Sequence, residues 1–177
     1  MAGSTTKQLV LKPQDLLVAL KIAVNSERQF TYAELASELF MSISEVHSSA
    51  KRAQTCGLLA RTSELTAVKF ALHEFLEHGV RYVFPQINSM LTRGIPTALA
   101  GPVLSKHFMA TDGLPQVWPD AEGNTQGIGL QPIYPSVPLA CRIDFKLYGV
   151  MTLVDALRGG HARDREISAQ LILEYIK

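Results

Sequence analysis

Two helix-start signals follow each other so closely that they leave little room for any local fold but one. Thr31 stands three residues before Glu34, and Ser42 three residues before Glu45. In each, the hydroxyl is placed to accept a backbone N–H of a new helix while the acid reaches back to the cap, which is a capping box. Between them lies a short helical run, Tyr32–Leu39, with Leu35, Ala36 and Leu39 on one face, then a turn of Phe40 and Met41. Phe30, just before the first cap, is positioned to staple onto Leu35. A short capped helix, a tight turn and a second capped helix make the helix-turn-helix pattern.

Upstream, Pro13 and Asp15 open another helix, proline suiting the first turn and the acid complementing the dipole. Leu16, Leu17, Leu20, Ala23 and Val24 recur at helical spacing, and the run ends near Asn25. This helix completes a three-helix core. In the third helix Ile43, Val46, Ala50 and Ala53 are predicted to face that core. Ser44, Glu45, His47, Ser48, Lys51 and Gln54 then face outward, polar groups of a kind that can read base edges in a major groove. Lys51, Arg52 and Arg61, against Glu45 as the one acid of that stretch, are placed to meet phosphates. Gly57 is the expected left-handed cap.

The runs Phe30–Leu39, Ser42–Ala53 and Gly57-Leu58-Leu59 resemble the winged helix-turn-helix of bacterial MarR-like transcriptional regulators, and Glu45 to Leu59 is the most specific part. The resemblance implies that Ser44, His47, Ser48 and Lys51 read DNA. By analogy with such modules, Thr31 and Ser42 donate to phosphates near the helix N-termini, with Tyr32 alongside. The resemblance covers residues 11–80 only. It departs from the family after Leu59, where Ala60-Arg61-Thr62-Ser63 leads into another helical pattern, Thr66 to His78. The wing is therefore short or absent, and the contacts it supplies are in question.

Along that next helix Ala67, Phe70, Ala71, Phe75 and Leu76 form an apolar stripe, core or dimer seam. Val80 to Pro85 reads as a strand from its aromatic and β-branched residues. From Pro85 to Pro138 glycine and proline punctuate the chain, yet Ile87, Leu91, Leu99, Val103, Leu104, Phe108, Trp118, Ile128 and Ile133 need burial. Gln116–Pro119 and Gly127–Gln131 flank a polar loop, Asp120–Asn124, which signals a hairpin. With Tyr82–Phe84 it makes a small three-stranded sheet, or it is a displaced wing. Arg93, in a Gly/Pro loop, is either a solvated arginine or a contact for phosphate or effector.

Two helices close the chain. Asp144–Leu157 carries Phe145, Tyr148, Met151, Leu153 and Val154, and Ala162–Ile176 carries Ile167, Leu171, Ile172 and Tyr175 inward. Between them Asp155, Arg158, His161, Arg163, Asp164, Arg165 and Glu166 form either a salt-bridged corner or a second basic patch.

The expected fold class is α+β, mainly α: a helix-turn-helix domain at 11–80, then an α+β region at 81–177 with a small sheet and two C-terminal helices, for dimerisation, effector sensing or partner binding. A net charge of +1 excludes a general attraction to nucleic acid, so any DNA site must concentrate its cations locally. Cys56 and Cys141 have no metal-type spacing and are expected as buried free thiols. Met1–Thr6 is short and polar, has no signal-peptide core, and is expected to be frayed. No apolar run is long enough to cross a bilayer, which points to a cytoplasmic protein without a membrane partner.

No phosphate loop, dinucleotide fingerprint or nucleophile elbow is present, and the five histidines are scattered. No catalytic role, metal or cofactor is expected. The function expected is a dimeric DNA-binding transcriptional regulator, most simply a repressor. The alternative is an antitoxin or adaptor whose C-terminal half binds a partner protein.

Overall fold

The computed structural model describes residues 9–107 and 113–176. The expectations for Met1–Thr6 and Phe108 lie outside the described residues. Helix α1 (Pro13–Val24) starts on its proline, and every residue from Leu16 to Val24 is buried. A helix covered on all sides belongs at the centre of a fold. That leaves Lys21 inside, 1% exposed, with Nζ 2.6 Å from Asp144 Oδ2 and 2.5 Å from Glu38 Oε2. Burying an ammonium is tolerable only with such partners.

Helices α2 (Tyr32–Leu39) and α3 (Ile43–Thr55) follow with the predicted turn between them. Phe40 takes a left-handed conformation (φ 54°), which ends α2 abruptly. Val46, Ala50 and Ala53 face the core as expected. Ile43 does not. It is exposed. Gly57, at φ 81°, turns the chain out of α3. Leu59 then pairs with Ala67 in a single antiparallel bridge, flanked by the bonds from Ala60 N–H to Thr66 O and from Val68 N–H to Leu58 O. This minimal hairpin displaces the start of the next helix from Thr66 to Lys69.

Helix α4 (Lys69–His78) consequently presents Leu72 and Leu76 to the core, and Phe70 is exposed rather than part of the buried stripe. The predicted strand at Val80–Phe84 is instead a helical turn, α5 (Val80–Val83). Gly79 stays right-handed, Phe84 N–H donates to Val80 O, and Val80 alone is fully buried while Tyr82 and Val83 face solvent. The carbonyls of Phe84 and Pro85 accept from Arg158 Nε and Nη2, not from a neighbouring strand.

The sheet is built from β1 (Asn88–Pro96), β2 (Gln116–Pro119) and β3 (Thr125–Leu130). Strand β1 runs antiparallel to both others, pairing Leu91 with Ile128 and Ile95 with Trp118, and β2 and β3 run parallel to each other. The three close into a ring. The hairpin expected around Asp120–Asn124 is therefore not formed, and Arg93 lies on a strand, not in a loop. Closure depends on Gly94, where a Cβ would stand 2.0 Å from Trp118 O. Trp118, Leu104 and Ile133 are buried as expected. Ile87, just ahead of β1, and the paired Leu91 and Ile128 are exposed, whereas Trp118 and Ile95 turn the ring toward the main core.

A short helix not foreseen in the sequence, α6 (Val137–Ile143), leads to α7 (Phe145–Gly159) and α8 (Ala162–Tyr175). Asp144 caps α7 by accepting Leu147 N–H at 2.9 Å. Burial of α7 begins at Leu147, and Phe145 is exposed. The supposed surface cluster is partly interior. Asp155 accepts from Thr97 Oγ1 (2.7 Å), Trp118 Nε1 (2.6 Å) and Arg158 Nη1 (2.6 Å), and Asp164 is also buried. Because α7 is a central helix, its charges have to be paired within the protein. Of that group only His161, Arg163 and Glu166 are exposed.

One continuous apolar core joins α1 and α3 to α7 and α8, across the expected boundary at residue 80. Cys56, at the solvent end of α3, is exposed and Cys141 is buried, so the expectation fails for the first. Among the described residues no helix is long and apolar enough to cross a membrane.

Candidate nucleic-acid interface

The α2–turn–α3 unit owes its geometry to its caps. Thr31 Oγ1 accepts Glu34 N–H, and both the backbone N–H and the hydroxyl of Thr31 donate to Glu34 Oε2, at 2.8 and 2.7 Å. These bonds hold the Glu34 carboxyl below its ordinary range. The hydroxyl proton of Thr31 is thus committed, and the residue is a cap rather than a phosphate donor. Ser42 differs. Its Oγ accepts Glu45 N–H at 3.2 Å, and its hydroxyl proton stays available. The second capping box is only half formed, because Glu45 turns away to accept from Gln14 Nε2 at 3.2 Å.

Ser44, His47 and Lys51 are exposed on the outer face of α3, with Ser48 half-buried between them. Tyr32, the first residue of α2, sets its ring edge-on against the His47 imidazole, centroids 5.0 Å apart. Tyr32 and His47 therefore form one surface, and the ring limits how far the imidazole can swing. Lys51 makes no ion pair among the described residues.

The other two expected phosphate contacts are differently employed. Arg52 points inward and makes a two-point pair with Asp15, its Nε and Nη2 donating at 2.7–3.0 Å, and Nη2 also reaches Ser49 Oγ. Asp15 is fully buried, so this carboxylate needs the guanidinium more than any phosphate would. Arg61 folds back from the minimal hairpin onto the end of α3, donating to the carbonyls of Gln54 and Thr55. A cation there caps the negative end of the helix. Gln54 answers with bonds from Nε2 to the carbonyls of Ala60 and Thr62, so it latches the hairpin instead of reading DNA.

No protein-family model, curated protein or solved structure matches this chain.

One cation escaped the sequence reading. Lys12 lies across a groove of about 570 Å³ from Ser48, Lys51 and Thr55. In the sequence it is only the residue before a helix-starting proline, and nothing local says that α1 begins beside α3. A second unforeseen neighbour is Tyr134, from the segment ahead of α6. Burial, and the nearby Glu45 carboxylate, raise its phenol above the ordinary value. The first turn of α3 is thus held by α1 on one side and by the C-terminal half on the other. Among the described residues no group of three or more His, Cys, Asp or Glu is arranged to hold a metal ion.

Proposed function

We propose that this protein is a sequence-specific double-stranded-DNA-binding transcriptional regulator, a repressor that docks α3 in the major groove. The observation that carries this reading is the outer face of α3. Ser44, His47, Ser48 and Lys51 present hydrogen-bonding groups to solvent on a helix held rigidly from behind. Such a face suits base edges, with Lys51 and Lys12 meeting phosphates at the flank. Few free cations are available, so one copy makes few phosphate contacts. A symmetric dimer on two half-sites is the arrangement that supplies enough.

The test is fluorescence anisotropy with the duplex upstream of the protein's own gene against a scrambled duplex, over a salt series. Preferential binding that weakens with salt, and that Lys51→Glu abolishes in a folded protein, is the expected result. Equal weak binding to both duplexes, or none, sinks the proposal.

A second reading, a protein adaptor or antitoxin working through its C-terminal half, is favoured by one observation. Ile87, Met90, Leu91 and Ile128 leave apolar side chains exposed on β1, on β3 and just ahead of β1, Met90 at 86%. Clustered exposed apolar groups mark binding surfaces more often than isolated ones do.

A further inference from the structure

An open cleft of about 450 Å³ lies between the β2–β3 connection and the α6–α7 junction. Its volume falls in the range that suits a small organic ligand. Ile95, Cys141 and Tyr148 are among the residues that line it, with Phe145 at one wall and Glu122 and Arg142 near the rim.

Phe145 is 70% exposed although it begins a helix whose later residues are buried. Its ring stands edge-on to Tyr148 at 6.1 Å, and Tyr148 in turn lies 5.8 Å from Trp118. The three rings form a column from the buried core to the cleft. Tyr148 is fixed by its hydroxyl, which donates to Pro96 O at 2.6 Å. The outermost ring has a face with no aromatic partner among the described residues.

The charge at the rim narrows what fits against that face. Arg142 is the cation lining the cleft, and it is already saturated with carboxylate: Nη1 donates to Glu122 Oε2 and Nη2 to Asp120 Oδ1. The three side chains together carry a net charge of −1, counted as one guanidinium against two carboxylates. Glu122 keeps a free oxygen toward solvent, and Asn124 adds an amide beside it. An incoming anion would have to displace a carboxylate from Arg142. A cation, or a neutral donor, meets acceptors and an open aromatic face instead. Burial pushes the Cys141 thiol well above its ordinary pKa, so the floor stays uncharged.

We infer that this cleft binds a small planar aromatic ligand of neutral or positive charge, stacked on Phe145 with its polar group toward Glu122. Phe145 follows Asp144, the residue that takes the Lys21 ammonium and caps α7. A ligand there sits one residue from the joint between α7 and α1. An effector role for it rests on the DNA-binding reading, whereas the binding itself does not.

The experiment uses the full chain without DNA and two probes of similar size and opposite charge, benzyltrimethylammonium and benzoate. Ligand-observed saturation-transfer NMR measures both. The expected result is saturable binding of the cation, at least about fivefold tighter than benzoate, and lost in Phe145→Ala. Glu122→Gln weakens the cation while leaving neutral benzyl alcohol unaffected. Phe145 is exposed, so Phe145→Ala keeps the wild-type thermal midpoint, and a loss of binding cannot be blamed on unfolding. Absence of saturable cation binding, undiminished binding to Phe145→Ala, or a preference for benzoate each overturns the inference.

Discussion

Arg52 on α3 and Asp15 in the first turn of α1 are joined by three bonds from two nitrogens to one fully buried carboxylate. The pairing couples the orientation of α3 to α1, and it commits most of the guanidinium's donors within the protein, although Arg52 still lines the groove beside Lys51. Asp15→Ala removes a buried acid and leaves Arg52 without its partner, at an expected cost of roughly 3 kcal/mol. Arg52→Lys keeps the charge but loses the planar two-point geometry, so it falls between that variant and the wild type. Urea denaturation measures both. Equal midpoints for Asp15→Ala and the wild type contradict the proposed bracing role.

His47 and Lys51 are expected to separate by salt. On the proposed DNA-binding reading Lys51→Ala removes a phosphate contact, so the slope of log K against log salt falls by about one unit per site. His47→Ala leaves the slope alone and relaxes preference at the bases it faces, by roughly 1–3 kcal/mol per base pair. Both side chains are exposed, so stability stays within about 0.5 kcal/mol of wild type.

The acids around Lys21 set an acid limit on the fold. Burial by itself raises the Asp144 carboxyl, but the Lys21 ammonium, the Leu147 N–H and the Asn25 amide outweigh it and hold it below its ordinary value. The Arg28 guanidinium, opposed by burial and helped by Lys21, does the same for Glu38. A depressed acid contributes its full stability above the unfolded-state pKa and loses it as pH falls through the lower folded-state pKa. The thermal midpoint is expected to drop below about pH 4 as these carboxyls protonate. Asp144→Asn lowers the midpoint at neutral pH and flattens the acid fall. An unchanged acid profile in Asp144→Asn rules this account out.

The single tryptophan reports on the other internal charge. Trp118 Nε1 donates to Asp155, which also holds Arg158 and Thr97. Asp155→Asn leaves the Arg158 guanidinium buried without a counter-charge, a loss of about 3–5 kcal/mol. In the folded variant the Trp118 emission maximum shifts. Unaltered emission together with wild-type stability shows the network to be dispensable.

Two glycine substitutions should differ in size. Gly57→Ala has open space around the new methyl and costs only the left-handed backbone, about 1–2 kcal/mol. Gly94→Ala drives a methyl into Trp118 O and breaks the ring of strands. Its cost is expected to exceed that of Gly57→Ala, with strand signal lost in circular dichroism. Similar losses for the two contradict the close approach.

What the sequence disclosed was local. The Thr31 and Ser42 caps, the Phe40–Met41 turn and Gly57 act within a few residues, so α2 and α3 are legible from spacing alone. Where a charged side chain ends up is not local. Arg52 is drawn inward by an acid 37 positions away, and Asp155 by Thr97 at a separation of 58. The Val80–Phe84 stretch has the composition of a strand, but the carbonyls at its C-terminal end accept from Arg158, a partner invisible from that stretch. The order of β1, β2 and β3 escaped for a related reason. A polar turn between two apolar runs ordinarily makes a hairpin, but here β1 pairs antiparallel with both β2 and β3, and close backbone approaches at Gly94, Gly123 and Gly127 allow it.

The continuous core at residue 80 has a consequence for how the chain unfolds. Helix α1 is covered by α3 and α4 on one side and by α7 on the other, so a fragment cut at the boundary would present a greasy central helix to water. Isolated expression of residues 11–80 is therefore expected to yield aggregate rather than a working DNA-binding piece. The intact chain should melt in one cooperative step, and any signal received in its C-terminal half arrives at α3 through solid packing, not through a tether.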